Sequence, residues 1–168
     1  MYFLRHLLSV LLLPFTATVV VPALLVVRDG GVRPGFGLFF PPVLLFLVIG
    51  ILLVVAGLTL IVKTNVLFYR IGQGTLAPWD PTRKLVVQGV YRYVRNPMIA
   101  GVMAVLLGEG LCLGSTAVLG WWLVFVTVNV IYMPMVEEPG LVRRFGEEYR
   151  NYCRNVPRWI PRLRPWEG

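Results

Sequence analysis

Four apolar runs, residues 7–27, 42–62, 98–113 and 117–136, constrain this chain more than any other feature. Most approach the roughly 20 residues a helix needs to cross hydrocarbon. With 57% hydrophobic and 14% charged residues among 168, too little polar surface is left to cover so many buried segments in water. The expected class is therefore an integral membrane protein. Because a bilayer forces every backbone polar group to bond internally, its expected fold is all-α.

Each run carries its own punctuation. The first holds Pro14 and Pro22, whose bends neighbouring helices or water must compensate, and it lacks the short apolar core and small-residue cleavage site of a signal peptide. A Gly- and Arg-rich loop over 28–35 follows. Pro41 and Pro42 suit the first turn of the second span, Gly50 and Gly57 allow close helix contact, and the helix can continue past Lys63 toward Tyr69. The third run is short and places Glu109 among Gly101, Gly108, Gly110 and Gly114, so it either crosses with tilted neighbours or is re-entrant. The fourth is long enough to cross despite Thr127 and Asn129, and Pro134 should disturb its last turn.

Charge orders the runs. Lys63, Arg70, Arg83, Lys84, Arg92 and Arg95 face only Asp80 between the second and third, and Arg143, Arg144, Arg150, Arg154, Arg158, Arg162 and Arg164 fill the tail. The positive-inside rule puts both regions, and with four spans Met1 as well, on the cytoplasmic side. The net charge of +8 does not imply nucleic acid, since the basic residues flank apolar segments where anionic headgroups are the nearer partners. His6 is the one histidine, and Cys112 and Cys153 are isolated in sequence, so no metal-ligand cluster is expected.

The tail reads as an amphipathic helix. Pro139 suits a first turn, and Leu141, Phe145, Tyr149, Tyr152 and Val156 recur at helical spacing, with Arg143, Arg144, Glu147, Arg150 and Arg154 on the wetter side. After it, residues 156–161 should be extended, because Pro157 and Pro161 fix their own φ and bias the preceding residue. Arg158 and Trp159 there either anchor at headgroup level or fold back over a pocket. The whole is expected to be one domain, 1–168, of about four transmembrane helices with a cytoplasmic amphipathic C-terminal helix.

Two polar motifs bracket the last helical pair. The first, Arg95-Asn96-Pro97-Met98-Ile99-Ala100-Gly101, resembles the Arg-His-Pro-x-Tyr-x-Gly motif of the isoprenylcysteine carboxyl methyltransferase and phospholipid methyltransferase superfamily, with Asn96 and Ile99 at the histidine and tyrosine positions. The second, Glu137-Glu138, Leu141, Phe145-Gly146, Tyr149, Tyr152 and Val156-Pro157-Arg158, follows that superfamily's order. An arginine found in some members one turn before the glutamates is absent from Tyr132–Val136 here. The resemblance covers about residues 89–161.

The resemblance implies S-adenosylmethionine-dependent methyl transfer to a membrane-held lipid, isoprenoid or small amphiphile, with the active site on the cytoplasmic face of a prokaryotic membrane. It assigns Glu137, Glu138 and Asn96 to catalysis, and Arg95, Asn96, Gly101, Glu138, Tyr149, Tyr152 and Arg158 to the cofactor. Either Arg95 or Arg158 can take the cofactor carboxylate, and Tyr149, Tyr152 or Trp159 can face adenine. Either glutamate can accept a proton from an amine acceptor. The donor's sulfonium already activates its methyl group, so the protein need only align the reactants. An acid inside an apolar run must be paired, protonated or open to a polar cavity, so Glu109 supports the alternative of a small transporter or channel.

Overall fold

The computed structural model describes residues 11–72 and 84–168. His6, Asp80, Arg83 and the start of the first apolar run lie outside them. The described residues are all-helical, without a strand. The elements are α1 (Val21–Arg28), entered through a π-helical stretch Leu11–Val20; α2 (Pro42–Leu67), leaving through a π turn Phe68–Gly72; α3 (Pro97–Leu113); α4 (Thr116–Tyr132); and α5 (Glu138–Asn155). Short 3-10 turns occupy Pro34–Gly37 and Gly89–Arg92.

Two helical runs, Pro42–Leu67 and Thr116–Asn155, are long and apolar enough to cross a membrane, and Pro14–Arg28 and Pro97–Leu113 are shorter apolar helices. Of the four expected spans, two thus reach that length. A soluble core helix would hide its apolar side chains, yet Leu45, Leu52 and Val62 on α2 are 60%, 63% and 60% exposed. Leu123, Val124, Val128 and Ile131 on α4 are exposed as well. Such surfaces suit lipid as solvent better than water.

The chain divides into two compact units. One comprises Val10–Thr59 and Gly101–Thr127, and glycines set its packing. A methyl group on Gly57 would lie 2.5 Å from the Gly101 carbonyl oxygen, and one on Gly108 would lie 2.5 Å from the Gly50 carbonyl oxygen. The pairs 50/108 and 57/101 run in opposite directions at the same seven-residue spacing, so α2 and α3 pack antiparallel along one seam with their backbones in contact. At the α3–α4 corner Gly114 has φ 60°, and a side chain there would strike the Arg33 carbonyl oxygen. Ser115 caps α4, accepting from the Val118 N–H (3.3 Å) and donating to Asp29 Oδ2 (3.3 Å). Compensation for the proline bend is visible too: the Trp121 indole donates to Ala17 O (3.1 Å), five residues before Pro22, which has no N–H to offer.

The other unit comprises the described residues of Leu60–Ala100 and Val128–Gly168. Tyr149, Tyr152 and Val156 form its buried core, with Leu85, Val87, Leu141, Phe145 and Trp166 packed against them, while Arg143, Arg144, Glu147, Arg150 and Arg154 are exposed. The amphipathic reading of the tail therefore holds. Pro134 disturbs the end of the fourth run as expected: the π turn Met133–Glu137 carries the chain from α4 into α5, its looser ladder accommodating the missing N–H. Within α5, Gly146 breaks the helix at φ 57°, ψ −130°, a conformation open in practice only to glycine.

Gly57→Leu should destabilise the α2–α3 seam by about 1–3 kcal/mol, the usual cost of overpacking a close contact. Gly120→Leu, where nothing lies within 4 Å, should change little. Thermal unfolding of the two variants in the same detergent measures the difference.

Candidate functional site

The geometry of the second unit begins with backbone strapping. After α5 ends, the Arg95 N–H donates to Pro157 O (2.9 Å), the Arg162 N–H to Tyr93 O (2.9 Å) and the Trp166 N–H to Arg92 O (3.0 Å). The segment after Val156 is therefore folded back along residues 92–95. Arg92 Nε returns a bond to Trp166 O (2.5 Å), and the Tyr152 hydroxyl donates to Tyr91 O (2.7 Å). Five hydrogen bonds, all accepted by carbonyls and four of them from neutral donors, fix residues 91–95 against α5 and the segment that follows it.

This frame brings Arg95, Glu138 and Arg158 together. Arg158 grips Glu138 with a fork, Nε to Oε1 at 2.6 Å and Nη2 to Oε2 at 2.8 Å, while Arg95 Nη1 donates to Oε1 at 2.8 Å. Charge-assisted bonds of this kind are short and strong. The side chains of Arg95 and Glu138 are 10% and 16% exposed, so water does little to screen them. Arg158 is 31% exposed, and its hydrogen bond to Glu138, outweighing partial desolvation, raises its pKa further above the ordinary arginine value.

Three further groups complete the cluster. Asn96 precedes Pro97 at the start of α3 and donates from Nδ2 to Arg158 O at 3.4 Å. Tyr149 lies beside Cys153, Glu138 and Arg95, and its ring rests on that of Tyr152, which meets Trp166 on another side (centroids 6.0 and 5.9 Å). Cys153 Sγ receives a hydrogen bond from Arg95 Nη1 at 2.8 Å. Arg95 Nε is buried with no partner among the described residues. An unpaired buried N–H on a cation is costly, and an anionic hydrogen-bond acceptor is the partner that would satisfy it.

The structure thus gathers Arg95, Asn96, Glu138, Tyr149, Tyr152 and Arg158. Glu137 is exposed and shares no hydrogen bond with the cluster, and Trp159 is half-buried. Gly101 lies in the other unit, where its carbonyl packs against Gly57. Glu109 is also there, with Oε2 buried and without a partner among the described residues. In sequence Cys153 had no role beyond that of an isolated thiol outside any metal cluster, and Trp166 was not among the candidates. The position of Cys153, one turn beyond Tyr149 on the buried side, was the available signal.

Comparison with known proteins supplies the family. Residues 45–148 match the phospholipid methyltransferase family, and the chain belongs to that family. It is 38% identical over 79 residues to a methanethiol S-methyltransferase of Pseudomonas deceptionensis, a match covering 45% of this chain and 28% of that protein. It is 27% identical over 94 residues to a phosphatidylethanolamine N-methyltransferase of Botryotinia fuckeliana strain B05.10, covering 54% of this chain and 10% of that one. The chain thus spans less than a third of either relative's length. No solved structure matches it.

Glu138→Gln should leave two guanidiniums facing each other across an uncharged amide. The expected cost is about 3 kcal/mol, at the low end for breaking a buried pair because Arg158 is partly exposed. Thermal unfolding against the intact protein tests this. Tyr91 gives a pH signature. Burial, then the neighbouring Tyr152 phenol, raise its pKa far above the ordinary value near 10. The folded state therefore keeps a proton that the unfolded chain loses, so stability is retained below about pH 10 and falls above it, by at most about 1.4 kcal/mol per pH unit for this group. Melting curves across that range should show the fall, and Tyr91→Phe should lessen it.

Proposed function

We propose that this protein is an S-adenosylmethionine-dependent methyltransferase that modifies a membrane-associated lipid, isoprenoid or small amphiphile. The observation that carries the reading is the Arg95–Glu138–Arg158 cluster, with Arg95 Nε buried and uncommitted. Family membership supplies the reaction type. The residues present fit the donor: Arg95 offers an N–H to its carboxylate, Glu138 balances positive charge, and Tyr149 offers an aromatic wall. When bound, the donor supplies an electrophilic methyl group on a sulfonium.

The chain's own part is positioning. Arg158 and Asn96 hold the strap over the cluster, so the guanidinium fork of Arg158 orients Glu138 rather than reaching outward. Tyr152, its hydroxyl committed to Tyr91 O, supports Tyr149 from behind. Gly101 serves through helix packing, and Glu137, exposed to water, is the candidate to relay a proton to solvent. The accompanying topology is four spans in a prokaryotic cytoplasmic membrane with this cluster on the cytoplasmic side, supported by the arginine distribution.

A second reading, transport through a polar cavity, draws on the unpartnered Glu109 Oε2. It predicts solute flux in proteoliposomes that Glu109→Gln abolishes. For the methyltransferase reading, calorimetry in detergent and in nanodiscs should detect binding of S-adenosylmethionine and S-adenosylhomocysteine. Arg95→Gln should weaken both on the order of tenfold or more, the worth of one charge-assisted hydrogen bond. Absence of binding in both media, with flux present, would reverse the preference.

A further inference from the structure

We infer that residues 158–164, the outer edge of the strap, are an interfacial anchor whose partner is the anionic surface of a lipid bilayer. The inference stands on the strap's own geometry and does not use the methyl-transfer reading. Backbone bonds at Pro157, Arg162 and Trp166 fasten the strap to residues 92–95, and Pro157, Pro161 and Pro165 each fix their own φ along it. A segment held this way keeps the same side chains in and the same side chains out. Arg158 turns inward to Glu138, and Trp159, Pro165 and Trp166 are half-buried. Ile160 and Leu163 are left outside, 79% and 100% exposed. The apolar cluster of Tyr149, Tyr152 and Val156 takes in Trp166 from the same strap and takes in neither of these two.

Charge identifies what covers them. Arg164 follows Leu163 and is exposed, while Arg162 precedes it and donates from Nη1 to Asn155 O at 2.8 Å. That bond draws the end of α5, with the exposed Arg154, to the strap, so arginines of both segments border the apolar tip. The acids of this stretch do not offset them. Glu138 is enclosed by Arg95 and Arg158, and Glu147 is paired with Arg150. Glu148 and Glu167 line a groove with Asn151 and Trp166 to which Ile160 and Leu163 do not contribute.

Exposed aliphatic side chains bordered by arginines suit the headgroup boundary, where the apolar groups enter the acyl region and the guanidiniums stay with lipid phosphates. A second copy of the chain suits the tip less well, because a two-fold contact would set these arginines against their own equivalents. The same unit also leaves Val128, Ile131, Met135 and Val136 exposed toward the end of α4, a surface that already favours lipid. Arg158 is two residues from Ile160. Seating the tip in the bilayer therefore keeps the Arg95–Glu138–Arg158 cluster near the surface, within reach of a molecule held in the membrane.

The test uses the full chain in nanodiscs of phosphatidylcholine and phosphatidylglycerol in equal amounts. A benzophenone amino acid replaces Leu163 in one variant and Leu123, exposed on α4, in another, and mass spectrometry identifies the photo-crosslinked products. Both replaced side chains are exposed, so neither change disturbs packing. Position 163 should label phosphatidylglycerol over phosphatidylcholine by about fivefold or more, the effect of one arginine near an anionic surface. Position 123 should label both lipids alike. Arg154→Gln combined with Arg164→Gln, or high salt, should bring the ratio at 163 toward parity. Crosslinks at 163 between two copies of the chain, labelling there without a phosphatidylglycerol excess, or no lipid adduct there while 123 labels lipid, each overturn the inference. Lipid adducts missing at both positions overturn the membrane reading of α4 together with the anchor, a failure distinguishable from loss at 163 alone.

Discussion

Everything in the candidate site depends on one carboxylate held between two guanidiniums. Glu138 stands 43 residues after Arg95 and 20 before Arg158, so three distant stretches meet on two oxygen atoms. Burying such charges costs several kcal/mol each before their attraction offsets it. The strap's backbone bonds bear much of the holding, for Arg95, Tyr93 and Arg92 are each tied to the segment after α5 through carbonyls. The neutral bonds bring the loops together and the ionic ones select how the side chains point. A buried polar cluster is a weak source of stability but a strong source of specificity when every member is satisfied, and here one N–H of Arg95 is left over.

Much of the fold was legible from periodicity. The apolar runs became helices, and the spacing of Leu141, Phe145, Tyr149, Tyr152 and Val156 described a face the structure buries or half-buries. Gly50 and Gly57 were readable as contact sites because small residues in apolar helices let backbones approach, although their partners Gly108 and Gly101 could be matched only in three dimensions. The break at Gly146 was not legible. A single glycine in an amphipathic pattern looks the same whether it is tolerated or required, and only its φ of 57° tells the two apart.

The site was legible as a set of residues and not as an arrangement. Motif order put Arg95, Glu138 and Arg158 on the page, yet left Arg158 divided between membrane anchor and pocket. Its choice depends on a chain reversal after Pro157, and proline chemistry predicts an extended backbone without saying where it goes. Cys153 shows the same gap. A lone cysteine has no local signature, and its meaning here comes from the Arg95 guanidinium 58 residues away in sequence.

Glycine seam and ionic cluster answer one constraint in different ways. In lipid there is no hydrophobic drive between helices, so α2 and α3 gain cohesion by bringing backbones close enough for dispersion contacts, which glycine alone permits at 57/101 and 50/108. The second unit instead uses charge and carbonyl bonds, in which the attraction between partners offsets the cost of burial. A chain with so few charged residues can therefore still place five ionisable groups, Arg95, Glu138, Tyr149, Cys153 and Arg158, in one small cluster. The positive excess that results is a property of the cluster as folded. It makes an anion the natural complement of this site whether that anion arrives on the methyl donor, on the acceptor, or on both.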